Sequence, residues 1–245
     1  MGIRDDLRRA ISSVLEPMDE CLALAEGGSA AFGRDDDLSD VDLGAFVKDG
    51  TTSHVAERVK EAILSVAEIE REWELPQPTW HGAWQAFYVV KGHKYMMVDI
   101  CVSEETQGWD LTEVERHGRP VVLFDKGSHI KVTNIDPKQT EEEIAKHRAK
   151  AEPMVNLFHS FVDKELDRGN LIDAMHFYQR MVLFPLVDVL RAKYDPHRYD
   201  FGGRYLYHDL PKDVVKELES LYFVKDSADL RKKKARAVEM FNEAI

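Results

Sequence analysis

Two aspartates one residue apart, Asp40 and Asp42, follow a Gly27-Gly28-Ser29 turn in the segment Gly28–Leu43, Gly-Ser-Ala-Ala-Phe-Gly-Arg-Asp-Asp-Asp-Leu-Ser-Asp-Val-Asp-Leu. In a β-strand, residues i and i+2 point to the same face, so the two carboxylates project together. A paired acidic face suits a hard divalent cation, and a Gly-Ser turn offers backbone N–H groups to a phosphate. A third carboxylate stands alone in the apolar run Tyr95-Met96-Met97-Val98-Asp99-Ile100-Cys101-Val102. An ionised Asp99 in such a run is costly unless it is paired or bound to metal. Each piece alone is commonplace, since Gly-Gly-Ser is an ordinary turn and Asp-Val-Asp an ordinary strand edge. The fixed spacing together with the isolated later aspartate points to divalent-metal chemistry on a nucleoside triphosphate.

With those residues in place, the segment resembles the nucleotidyltransferase superfamily of DNA polymerase β. Its look is nearest to the small bacterial enzymes that adenylylate aminoglycosides, lincosamides and related antibiotics. That family's signature is Gly-Ser, a second glycine five positions after the first, and Ser-Asp-x-Asp-hydrophobic; Gly28, Ser29, Gly33, Ser39, Asp40, Asp42 and Leu43 fill those places. The resemblance implies that Asp40, Asp42 and Asp99 are the catalytic and metal-binding carboxylates, holding one or two Mg²⁺ ions. One ion would bridge triphosphate oxygens and the other would activate the acceptor hydroxyl. It also implies that Gly28, Ser29, Arg34 and Ser39 contact the co-substrate, ATP or another nucleoside triphosphate. Ala30 departs from the pattern, since many relatives carry a bulkier polar residue there, and Arg34 would take over part of that phosphate contact. Asp35-Asp36-Asp37 reads as a solvated loop whose charge would repel triphosphate.

Composition narrows the partners. The chain has 245 residues, 44% hydrophobic and 32% charged, within the range of a globular protein of one large or two modest domains. No run approaches the ~20 apolar residues that span a bilayer. The charged, amphipathic N-terminus is no secretory signal, and Cys21 and Cys101 read as reduced, buried thiols of a cytoplasmic protein. A formal net charge of −12 weighs against nucleic acid and toward a small, cationic acceptor.

These residues must be positioned by a scaffold, and the sequence predicts an α+β fold. An amphipathic helix is expected over about Arg4–Ala25, kinked or split at Pro17. The metal-bearing strand continues through Leu43–Val47, and a helix follows over about His54–Ala67. Aromatic-rich strands near Trp84–Val90 and Tyr95–Val102 form a hairpin, and Val121–Phe124 reads as a last strand. Strand patterns then stop. Helical periodicities run over about Thr140–Arg168, Asn170–Lys193 and Ser227–Ile245, with a further helix from Pro211 to Leu221 and a kink at Pro185. The expected organisation is a catalytic domain over 1–135, with a small mixed sheet flanked by helices, then a helical acceptor-binding bundle over 136–245. The bundle also resembles the helical domains of antibiotic nucleotidyltransferases at Arg191-Ala-Lys-Tyr-Asp-Pro, Arg204-Tyr-Leu and Asp209-Leu-Pro, a far less specific pattern.

Other groups invite roles that their chemistry does not force. His81, His93, His117 and His176 lack metal-ligand spacing. Trp80, Trp84, Tyr88 and Trp109 have the chemistry to stack on a base, although aromatics at strand spacing are more often core. The run Arg231-Lys232-Lys233-Lys234-Ala235-Arg236 reads as a solvated helix face. Glu165, Asp173 and Asp188 are acidic groups of the bundle able to act as a base, and none is singled out. Two further readings stand beside small-molecule nucleotidyl transfer: an antitoxin-like enzyme that AMPylates a protein, and a catalytically silent nucleotide-binding or interaction module.

Overall fold

The computed structural model describes residues 2–77, 79, 82–108 and 113–245. The chain forms two compact units, Met1–Asn134 and Ile135–Ile245.

The first unit opens with α1 (Ile3–Leu15), whose buried face is Leu7, Ile11 and Leu15. It stops short of Pro17, and Cys21–Glu26 is a strand, β1, not the tail of the expected helix. Every residue of β1 is buried. A fully buried strand carries no alternation, and a short apolar run of that kind is indistinguishable by period from a buried helical turn. The short helix α2 (Gly28–Ala31) leads through a loop to β2 (Val41–Val47). Then come α3 (Thr52–Val66), β3 (Ile69–Glu74), β4 (Trp84–Val90), β5 (Met97–Glu104), α4 (Val114–His117) and β6 (Val121–Asp125). The strands form one sheet in the order β3-β4-β5-β2-β1-β6. The expected hairpin is present, with Trp84 opposite Val102 and Val89 opposite Met97. The β2–β5 pair is parallel, and the other strand pairs are antiparallel.

One face of this sheet packs on α1 and α3. Val41, Leu43 and Ala45 of β2, Val98, Ile100 and Val102 of β5, and Trp84, Ala86 and Tyr88 of β4 join Leu7, Ile11, Val55, Val59 and Ile63 in a single core. Side chains alternate across a strand, so Asp42, Asp99, Gln85 and Phe87 belong to the opposite face. Trp84 and Tyr88 are thereby core residues; Trp80, Trp109 and His81 lie outside the described residues.

The second unit is helical: α5 (Pro137–Phe158), α6 (Ser160–Asp167), α7 (Leu171–Tyr178), α8 (Phe184–Tyr194), α9 (Leu206–Asp209), α10 (Lys212–Tyr222) and α11 (Ser227–Ala244). Between α7 and α8 the helix widens into a π-turn over Gln179–Leu183. Pro185 lacks an N–H and crowds the carbonyl one turn back, and the wider turn accommodates it where a kink was expected. Arg191 and Asp209, singled out by pattern, form a buried ion pair: Arg191 donates to Asp209 at 3.1 Å, and Arg198 donates to the same carboxylate at 2.6 Å. The Asp136 side chain accepts from the N–H groups of Lys138 and Gln139, capping α5 at the expected Asp-Pro start. Asp136→Ala is expected to cost about 1 kcal/mol, the usual value of an N-cap, read as a lower denaturation midpoint at unchanged slope.

Candidate active site

Parallel pairing places Asp42 of β2 directly beside Asp99 of β5. Their backbones are about 4.8 Å apart, the spacing of neighbouring strands, and their side chains share a face. Asp40 enters on the same side, one pleat earlier. The predicted trio is therefore gathered at the start of β2 and β5, with Asp42 at its centre.

The Gly-Ser segment closes on this trio from the β1 side. Gly27 donates its N–H to the Asp42 carbonyl at 2.8 Å. Gly28 has φ +52°, and a Cβ there would lie 1.8 Å from Asp42 Oδ2. Only a residue without a side chain fits, because the backbone itself is packed against the carboxylate. Ser29 follows in α2, and its carbonyl accepts from the N–H of Arg34 at 3.0 Å. The Arg34 guanidinium lies over the Phe32 ring at 5.0 Å. Ser39 is engaged locally: its hydroxyl accepts from the Asp36 N–H at 2.9 Å and donates to the Asp36 carboxylate at 3.0 Å. Gly28 and Asp42 are thus brought together, while Ser39 shapes the loop that delivers Asp40.

Two groups missed by sequence reading support the trio. Glu26 ends β1 wholly buried and is held by Arg4 and Arg8 of α1. Arg4 also donates to the Asp40 carbonyl at 3.3 Å and to Asp35 at 3.0 Å, tying helix, strand end and loop together. Asp35 is thus a loop anchor. On the other flank, Gln85 of β4 donates from Nε2 to Asp99 Oδ1 at 2.8 Å. The signal for Glu26 was present in the sequence, since a lone carboxylate closing the apolar run Cys-Leu-Ala-Leu-Ala has the same cost as Asp99 in its own run. Gln85 carried no such signal, as a neutral amide in a strand excludes little.

Burial raises all three carboxyls of the trio. Asp42 is pushed up to about 6, by burial first and then by the charges of Asp99, Asp40 and Glu26, against the pull of Arg4. Asp99 is raised by burial and restrained by the Gln85 hydrogen bond. Asp40 is raised by burial and restrained by the Met97 backbone N–H. Such a group of acids favours a bound cation, which replaces mutual repulsion with attraction. Among the described residues no three His, Cys, Asp or Glu side chains enclose a metal ion by themselves. Mg²⁺ needs no such cage, taking one or two carboxylates and completing its shell with water and substrate phosphates. The all-oxygen donor set fits that ion.

The raised carboxyl fixes the sign of two pH effects. Without metal, Asp42 binds its proton more tightly in the folded chain than in the unfolded one. Its contribution to stability is therefore full below pH ~4 and is lost as pH rises through about 6. Metal must displace that proton, so Mg²⁺ affinity is expected to weaken as pH falls below about 6. Calorimetric titration at pH 5.5 and 7.5 checks this, and equal affinities at both would contradict it.

Beside Asp40 lies a cleft of about 490 Å³ lined by Glu70 and Arg71 of β3, Val89 of β4, Met97 of β5 and the His93–Met96 turn. The other candidates take structural places. Glu165 accepts from Arg168 and Asn170 at 2.8 Å each, pinning the turn between α6 and α7. Arg231 and Lys234 pair with Asp163, and Arg236 pairs with Glu217 and Glu239. Cys21 is buried, its thiol pushed up to about 12, while Cys101 is half-buried where a buried thiol was expected. Asp188 is half-buried and raised by burial. Among the described residues, no helix is long and apolar enough to cross a membrane.

No family model and no curated protein matches the sequence. Among solved structures, the chain is similar to an aminoglycoside 6-adenyltransferase from Bacillus subtilis, at 14% identity and a TM-score of 0.34, over 100% of this chain and 89% of that one. It is also similar to the STING-associated CdnE c-di-GMP synthase from Capnocytophaga granulosa, at 13% identity and a TM-score of 0.31, over 99% of this chain and 81% of that one. Likeness at this level adds nothing to what the residues and their geometry say.

Proposed function

We propose that this chain is a Mg²⁺-dependent nucleotidyltransferase that moves a nucleoside monophosphate, AMP from ATP first, to a hydroxyl of a small acceptor. The observation that carries this reading is Asp42 beside Asp99 in parallel register, with the Gly28 backbone packed against the Asp42 carboxylate. A carboxylate pair alone would be an acidic patch; with a Gly-Ser turn packed against it, a phosphate held by the turn would adjoin a metal held by the carboxylates.

Asp40, Asp42 and Asp99 would hold the ions, and the backbone around Gly28-Ser29 would hold the β- and γ-phosphates. When bound, the metal neutralises triphosphate charge and makes the acceptor hydroxyl more acidic. The acceptor oxygen attacks the α-phosphorus, the bond to the bridging oxygen breaks, and pyrophosphate leaves in line with the hydroxyl proton passing to a base. Sheet order supports this arrangement. The Gly-Ser turn follows β1 on one side of β2 and β5, and the cleft lies over β3, β4 and β5 on the other. Leaving group and acceptor then approach from opposite flanks.

The cleft suits a small molecule in volume. Its lining carries both signs, so the preference for a cationic, aminoglycoside-like acceptor rests on the net charge of −12. Incubation with labelled ATP and Mg²⁺ against an aminoglycoside panel and against cell extract tests the proposal. Label on a small molecule is expected. Label on protein supports AMPylation instead, and no metal-dependent turnover with any acceptor leaves a silent module.

A further inference from the structure

Gln85 sits in β4 with its neighbours Trp84 and Ala86 packed into the helix-covered core, so its amide lies on the Asp99 face. It is 5% exposed. The Nε2 group donates to Asp99 Oδ1 at 2.8 Å, and an ionised carboxylate only accepts, which fixes the amide orientation. Its Oε1 is then left buried with no donor among the described residues. An orphaned acceptor destabilises a folded chain, whereas an apolar side chain of the same length would fill the space without that cost. Oε1 contributes only a cost, so what the amide supplies at this position is its Nε2 donor to Asp99.

We infer that Gln85 is a positioning residue for the metal site, holding the Asp99 carboxylate in one rotamer through Nε2. This leaves Oδ2 and the remaining lone pair of Oδ1 to a divalent cation. The inference rests on the nucleotidyl-transfer reading of Asp40, Asp42 and Asp99 and adds a residue outside that signature. Hydrogen-bond partners of metal ligands commonly contribute about 10- to 100-fold to metal affinity by orienting them.

The test reads metal binding and not turnover. In thermal-shift titrations of the full chain with Mg²⁺, Gln85→Met is expected to raise the Mg²⁺ midpoint about 10-fold. In an Asp99→Asn background the same substitution should have no further effect, since Gln85 acts through Asp99. If Gln85→Met does not fold, Gln85→Leu replaces it in both measurements. An unchanged Mg²⁺ midpoint, or effects of the two substitutions that simply add, overturns the positioning role while leaving the catalytic reading standing. A parent chain that shows no Mg²⁺ response overturns both.

Discussion

Asp42→Asn is expected to lower nucleotidyl transfer by at least ~10²-fold, the scale of losing one preorganised electrostatic group, while raising the melting temperature of the metal-free protein. The two effects share a cause. Asn keeps the shape of Asp but removes the charge at the centre of the trio, where burial and the carboxylates of Asp99, Asp40 and Glu26 all oppose ionisation. At neutral pH the parent chain must bear that opposition without metal, so removing it stabilises. Half-burial and screening reduce the gain to about 1 kcal/mol, or roughly 2–4 °C in a chain of this size. Circular dichroism melts in EDTA and in excess Mg²⁺ check it. The parent should gain melting temperature with Mg²⁺ and the variant should not. A variant that melts lower in EDTA would mean that Asp42 is a structural acid satisfied by Arg4, and the metal reading would fail with it.

Gly28→Ala is expected to damage the site with a single methyl. The added Cβ would sit 1.8 Å from Asp42 Oδ2 and 2.6 Å from its Cγ, so the carboxylate or the Gly-Ser segment must move. A displacement near 1 Å at a reacting centre costs on the order of 10²-fold in rate. The backbone contributes as well, because φ +52° is unfavourable for alanine by roughly 1–2 kcal/mol. Gly33→Ala separates the two causes: Gly33 has φ +60°, but nothing lies within 4 Å of a Cβ there. Both variants should lose stability, and only Gly28→Ala should also lose turnover and Mg²⁺ response. Equal kinetic losses would trace the effect to loop strain and not to contact with Asp42.

The parts of the site that were legible in the sequence are those whose cost has no ordinary explanation. Asp99 stood out because an ion in an apolar strand needs a partner, and Asp40 and Asp42 because period-two spacing aligns them. The hairpin of β4 and β5 and the helical second half were legible from period alone. What stayed hidden was set by tertiary contact. Cys21–Glu26 continued the helical spacing of Ile11, Leu15, Met18 and Leu22, and only pairing with β2 and β6 makes it a strand. The edge strand Ile-Glu-Arg-Glu-Trp-Glu is nearly all exposed and charged, which protects a sheet edge from association but erases the alternation that marks a strand. Arg4, Glu26 and Gln85 are polar side chains whose meaning lies in partners distant in the chain, and no local pattern names them. Pro185 signalled a break correctly in place, but its resolution as a π-turn depends on the helices packed around it.

The most direct test of nucleotidyl transfer follows the phosphorus atoms. The protein is incubated with Mg²⁺, an acceptor panel and ATP labelled at either the α- or the γ-phosphate. The acceptor is expected to take the α label, with the γ label released in pyrophosphate in equal amount, and neither to occur with Asp42→Asn. Transfer of the γ label to the acceptor, or release of inorganic phosphate in place of pyrophosphate, would contradict the assignment.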